Sequence, residues 1–314
     1  MLDEFIDRRE WIKVSARSVI TDTLTSAKRE RFVSLRFLNT KAIVGLSIVG
    51  LFVVVAIFAP VIAPGNPSAD SYLPNLSPGS AHWLGTTSFG QGVLRQVVWG
   101  ARGSLLVSFL AGGITTFVAV AVGVTSGLLL GWTDRILSFL TNVFLVIPSL
   151  PLLIVLSSYL PSKGDLIIIL VISMTSWAYS ARTLRSQVLS LRERDFVLHA
   201  KLVGQPWWSI VFGEILPNMG SLVVSGLLYS MIGALLTVTS LDFLGVGNIS
   251  AVSWGSMLYW AQNNGALLNG LWWWFVPPGV AITLFGGALA LLNFSLDEIT
   301  NPRLRQRKVK VRGR

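Results

Sequence analysis

Residues 42–63 read AIVGLSIVGLFVVVAIFAPVIA, without one charged side chain. An α-helix rises about 1.5 Å per residue, so roughly 20 such residues cross the ~30 Å hydrocarbon layer of a bilayer. This run is long enough to do so. Working outward, runs of the same character recur at Ser104–Gly131, Ile136–Leu160, Leu166–Ala181, Met219–Gly245 and Leu271–Leu296. Six spans are expected, which makes the fold class an all-α integral membrane protein. A composition that is 52% hydrophobic and only 13% charged argues against a water-facing surface in the same way. The first run follows a charged stretch and is longer than the apolar core of a secretory signal, so it is expected to be a retained span.

The net charge of +10 would suit nucleic acid if the basic residues formed one patch, but their placement along the chain gives another reason. Nine Lys/Arg precede the first run, Arg135 lies between the second and third, five fall between Arg182 and Lys201, and seven follow Leu296. Only Arg95, Arg102 and Lys163 fall on the other side. By the positive-inside rule both termini are cytoplasmic, and no nucleic-acid partner is needed to explain the charge. The chain has no cysteine and two histidines, His82 and His199, so disulfides, thiolate sites and His/Cys metal clusters are excluded.

The expected organisation has three parts: a basic cytoplasmic segment over 1–41, a membrane domain over 42–296 and a basic cytoplasmic tail over 297–314. In the first, Trp11, Ile12, Val14 and Ile20 allow an amphipathic helix on the inner leaflet. Residues 64–103 are rich in Pro, Gly, Ser and Asn and are expected to form a lid over the outer mouth. Trp272, Trp273 and Trp274 open the last span as an aromatic belt, and Pro277 and Pro278 are expected to kink it. Gly112-Gly113 and Gly286-Gly287 read as helix-packing pairs.

The cytoplasmic stretch 182–218 is long for a connection between two spans. Within it, Asp195–Pro217 reads DFVLHAKLVGQPWWSIVFGEILP. One helix is expected to end at Gly204, where the absent Cβ permits a sharp turn. Pro206 then starts a second short helix, since its missing N–H costs nothing there. Trp207, Trp208, Val211, Phe212 and Ile215 give that helix an apolar face. Such a face fits either lipid headgroups or a groove on a cytoplasmic partner.

The arrangement resembles the EAA loop of permease subunits of ATP-binding-cassette (ABC) importers, with Gly204, Leu216 and Pro217 at the family's spacing. Leu198, His199 and Ala200 stand where Glu-Ala-Ala is usual, and Glu214 where Ile is usual, with Asp195 and Glu214 as nearby acidic groups. Other segments are similar to the second permease of the dipeptide, oligopeptide and nickel group. They are His82–Thr86 with Gly90 and Gly100–Leu105, Ser190–Phe196, Phe243–Gly247 with Ser253–Gly255, and Trp273-Trp274 with Pro277–Gly279 and Asn301–Arg305. Thr87, Gly92 and Asp242 depart from that group's pattern.

The resemblance implies a permease subunit, not an enzyme, that pairs with a homologous second permease over two ABC ATPase subunits. An extracytoplasmic substrate-binding protein would deliver oligopeptides or related solutes. ATP and Mg would be bound by the ATPases, since this chain has no G-x-x-x-x-G-K-[ST] phosphate loop and no cofactor site is expected in it. ATPase coupling is expected of Asp195, His199, Ala200, Gly204, Pro206, Trp207, Trp208, Val211, Phe212, Glu214, Leu216 and Pro217. Asp242, Phe243 and Trp254 are candidates for the outer gate or pathway. Oligosaccharide is the alternative cargo. An ion-coupled secondary transporter is the alternative class, disfavoured because no ionisable residue lies deep in a span.

Overall fold

The computed structural model describes residues 40–80, 82–159 and 164–300. The chain divides into two compact units, residues 1–43 and 44–314. The first lies almost wholly outside the described residues, as do the expected surface helix around Trp11–Ile20, Lys163 and the tail segment 301–314. Among the described residues every regular element is helical, and the one extended pairing is an isolated bridge between Thr86 and Gly92.

In chain order the helices are α1 (Thr40–Ile57), α2 (Ala59–Ile62), α3 (Val93–Leu129), α4 (Gly131–Val146), α5 (Ser149–Tyr159), α6 (Asp165–Thr175) and α7 (Ala178–Leu191). Then come α8 (Asp195–Leu202), α9 (Trp207–Ile210), a π turn over Val211–Ile215, α10 (Leu216–Asn218), α11 (Gly220–Phe243), α12 (Trp254–Asn263) and α13 (Trp272–Thr300). Four helices, α1, α3, α11 and α13 through Glu298, are long and apolar enough to cross a membrane alone. The pairs α4–α5 and α6–α7 bring the number to six if each counts as one bent span.

Two expectations change in detail. The second span begins as a helix at Val93 and not at Ser104, so the end of the expected 64–103 lid is helical. Arg95, Gln96 and Arg102 interrupt the apolar run, but none of them breaks a helix. The third span, expected to be continuous over Ile136–Leu160, turns by 90° between α4 and α5. Pro148 explains the break: it cannot donate into the helix, and it forces the preceding Ile147 into extended backbone, φ −71° and ψ 126°. Pro277 and Pro278, by contrast, lie near the start of α13, which runs on past them to Thr300.

Helix α3 is the centre of the bundle, and small residues let its neighbours come close. A Cβ on Gly112 would lie 2.6 Å from Met231 of α11, and one on Gly123 would lie 2.6 Å from the Ala181 carbonyl of α7. Ser108 donates to the Met231 carbonyl at 2.8 Å, which ties α3 to α11 through a buried hydroxyl. The other glycines read as packing residues behave differently. Gly113, Gly286 and Gly287 meet nothing within 4 Å, because they lie away from the helix contacts within this chain.

Candidate functional site

At one end of the bundle the chain leaves α7 and forms the loop α8–α10 before re-entering as α11. Helix α8 buries Val197 and Ala200. Its end is set by Gly204, whose φ of +74° is left-handed and suits glycine. The Gly204 N–H bonds the Lys201 carbonyl and the Gln205 N–H bonds the Ala200 carbonyl, both at 3.0 Å, so the last carbonyls of α8 are satisfied. Pro206 follows in extended backbone and its carbonyl accepts from Ser209 at 3.0 Å and Ile210 at 3.2 Å, which starts α9.

The apolar residues of this loop point two ways. Ile210, Val211 and Ile215 are buried in a cluster with Ala119 and Val124 of α3, Leu184 and Val188 of α7, and Val197 and Ala200 of α8. Trp207 and Trp208 are each 58% exposed and Phe212 is 69% exposed, and Leu202 and Val203 of the preceding turn are more exposed still. The single face expected from spacing is therefore split. The widened turn over Val211–Ile215 shifts the helical phase, so Val211 and Ile215 anchor the loop while the aromatic rings face outward. Asp195, His199, Gly204, Pro206 and Pro217 are exposed, Ala200 is buried, and Glu214 and Leu216 are half-buried.

A second feature at this end was not legible from motifs. Arg185 of α7 grips Asp134 of α4 with two parallel bonds, Nε to Oδ1 at 2.6 Å and Nη2 to Oδ2 at 2.8 Å. Ser126 of α3 and Ser138 of α4 donate to the same carboxylate. Three helices are thus fastened where α7 leads into the loop. The available signal was one acid, Asp134, in a short link whose other charged residue is Arg135.

At the opposite end, segments far apart in sequence come together. Thr86 is buried, its hydroxyl donates to the Leu73 carbonyl and accepts from the Leu76 N–H, each at 2.8 Å. Its carbonyl accepts from Trp273 Nε1 at 3.1 Å, which fixes the 64–92 segment to the start of α13. Gly85 has φ +65° and sits where a Cβ would strike the Leu76 carbonyl and the Trp273 ring.

Trp254 is fully buried at the start of α12. Its backbone N–H bonds Ser104 Oγ at 3.0 Å and its Nε1 bonds the Val97 carbonyl at 3.0 Å. Gly100 and Gly103 make room for it and for Val252 and Ser253. Asp242, also buried, accepts from Ser253 Oγ at 2.7 Å and from the Asn248 N–H at 3.1 Å, while the Asn248 amide donates to Asp165 at 2.7 Å. Asp242 thus organises the turn after α11, close against Gly247 and Gly255. Phe243 beside it is 40% exposed. Of the three outer candidates, two are packed inside this chain and one faces out.

Among the described residues no group of three His, Cys, Asp or Glu could hold a metal ion. Spans enough for several membrane crossings, with a helical loop anchored at one end and an ordered cap at the other, make this a multi-pass helical membrane protein. A family model described as the binding-protein-dependent transport system inner membrane component matches residues 119–306, and the chain belongs to that family. A second, described as the N-terminal TM domain of oligopeptide transport permease C, matches residues 36–78.

Curated relatives agree over most of the chain. The oligopeptide transport system permease protein OppC of Bacillus subtilis is 33% identical over 277 residues, covering 87% of this chain and 89% of that protein. The dipeptide transport system permease protein DppC of Alkalihalophilus pseudofirmus is 32% identical over 290 residues, 90% and 92% of the two chains. OppC of Mycobacterium tuberculosis is 29% identical over 290 residues, 91% and 99%. The chain is accordingly a permease component of an ABC importer in the inner membrane, and not an enzyme.

Proposed function

We propose that this permease carries peptides, forming half of a translocation pathway with a homologous second permease, and that the loop Asp195–Pro217 receives force from two ATPase subunits. The termini and this loop are cytoplasmic, in keeping with the basic residues around them. The 64–92 segment and α12 are extracytoplasmic and face a substrate-binding protein. Peptide is favoured over oligosaccharide because the relatives named above are oligopeptide and dipeptide permeases.

The observation that supports coupling is the outward apolar tip Leu202, Val203, Trp207, Trp208 and Phe212, on a loop whose other side is anchored in the bundle. Large exposed apolar side chains on a polar connection suit a groove in a partner. Because Val197, Ile210 and Ile215 hold the loop to α3 and α7, displacement of the tip would move those helices as a body. ATP and Mg bind the ATPases in this account, and this chain supplies only the mechanical link.

The test is uptake by proteoliposomes holding the full complex, with wild type compared with Gly204→Pro and Trp208→Asp. Wild type is expected to accumulate peptide only with ATP inside reach of the ATPases. Both variants are expected to fold but to lose ATPase recruitment or ATP-coupled uptake. Normal ATP-driven uptake in both variants would remove the loop from the coupling role, and uptake driven by an ion gradient without ATPases would replace the importer reading altogether.

A further inference from the structure

One cavity, about 200 Å³, opens on the side of the bundle between α7, α11 and α13. Tyr179 and Thr183 of α7, Ser225 and Tyr229 of α11, and Asn293 and Asp297 of α13 are among its lining residues. Tyr179 is 74% exposed and Tyr229 65% exposed. Tyrosines at a bilayer surface normally form interfacial belts. Tyr229, however, stands nine residues inside the 24-residue α11, about 14 Å along its axis, too deep for a belt. Asn293 is buried, and its side-chain carbonyl oxygen is closed off within the chain, away from the cavity. Polar groups at such depth face water or a polar partner, since lipid satisfies neither.

The exposed faces elsewhere differ in kind. Those of α1 present Leu46, Leu51, Val54 and Ile57, which suit lipid. The cavity also lies in the half of the bundle nearest the loop, beside the start of α11 and the end of α13. Among the described residues, Asp297 is the one carboxylate in its lining and no Lys or Arg lines it.

We infer that this cavity is an inner station of the translocation pathway that binds a peptide by its free amino terminus, with Asp297 facing the ammonium and the Tyr229 hydroxyl bonding the peptide backbone. The inference rests on the peptide-importer reading given above. A peptide supplies the parts the cavity lacks: carbonyls for the Tyr229 hydroxyl and one positive charge for the carboxylate. An oligosaccharide would satisfy the hydroxyls and leave the carboxylate without a counter-charge. In a wet vestibule the ion pair is weak, so it selects cargo without trapping it.

The experiment compares ATP-driven uptake of one peptide in free and N-acetylated forms, by proteoliposomes of the full complex with saturating binding protein. Wild type and Asp297→Asn are measured side by side, so the binding protein's own preference is common to both and cancels in the ratio. The free-to-acetylated uptake ratio is expected to fall about fivefold in the variant, as for loss of one exposed ion pair, while ATPase assembly is unchanged. Tyr229→Phe is expected to slow both peptides and leave the ratio alone. An unchanged ratio in Asp297→Asn, or an equal loss of both peptides, would overturn the inference and leave the importer reading standing. Failure of wild type to take up either peptide with ATP would overturn the importer reading itself.

Discussion

At the scale of single residues, the end bearing α12 is held by buried hydrogen bonds that have no substitute. Ser104 Oγ is the acceptor for the Trp254 N–H, and both residues are buried. Ser104→Ala leaves that donor unpaired away from water, at a cost of about 1–3 kcal/mol. Thermal unfolding in detergent is therefore expected at lower temperature by several degrees, whereas a change at the exposed Trp83 should have no such effect. An unchanged transition in Ser104→Ala would show that the bond contributes nothing. Residues of this kind were only half legible beforehand. The Gly100–Leu105 and Ser253–Gly255 segments stood out as motifs, but that one supports the other is visible only once Trp254 is seen between them. Asp242 was singled out for its charge, but Asn248 and Ser253, which bind it, lie six and eleven residues away in a stretch with no regular period.

At the scale of elements, the apolar runs marked the spans because composition alone decides what can enter a bilayer. Their breaks were harder to read. Pro148 lies inside the run that was expected to be one continuous span, and a 90° turn follows because Ile147 takes the extended backbone that a following proline demands. The loop shows the same limit: Gly204 and Pro206 fell where expected, while the π turn that sends Ile215 inward and Phe212 outward has no mark in residue spacing. The Asp134–Arg185 clasp belongs to this scale, because it joins α4 to α7. A double-mutant cycle with Asp134→Ala and Arg185→Ala is expected to give a coupling energy of about 1 kcal/mol in unfolding, for a bidentate pair with further hydroxyl donors. Additive single effects would mean that the helices are held by packing alone.

At the scale of the whole molecule, the account makes the bundle a two-ended lever, with the cap and α12 outside and the loop inside. The absence of cysteine makes this testable with single introduced thiols. Cysteine at Trp83, which is 75% exposed, is expected to react with an impermeant maleimide from the outer face of right-side-out vesicles. Cysteine at the exposed His199 is expected to react only after the vesicles are opened. The reverse pattern would invert the membrane orientation drawn from the basic residues.

The claim on which the rest depends is that the outward tip of the loop meets an ATPase. The most direct measurement is a cross-link from a single cysteine at Trp208 in the assembled, transport-active complex, with cysteine at Trp83 as the control. The account predicts an adduct between this chain and an ATPase subunit from position 208 and none from position 83. No adduct from position 208, in a complex that still imports peptide with ATP, would contradict it.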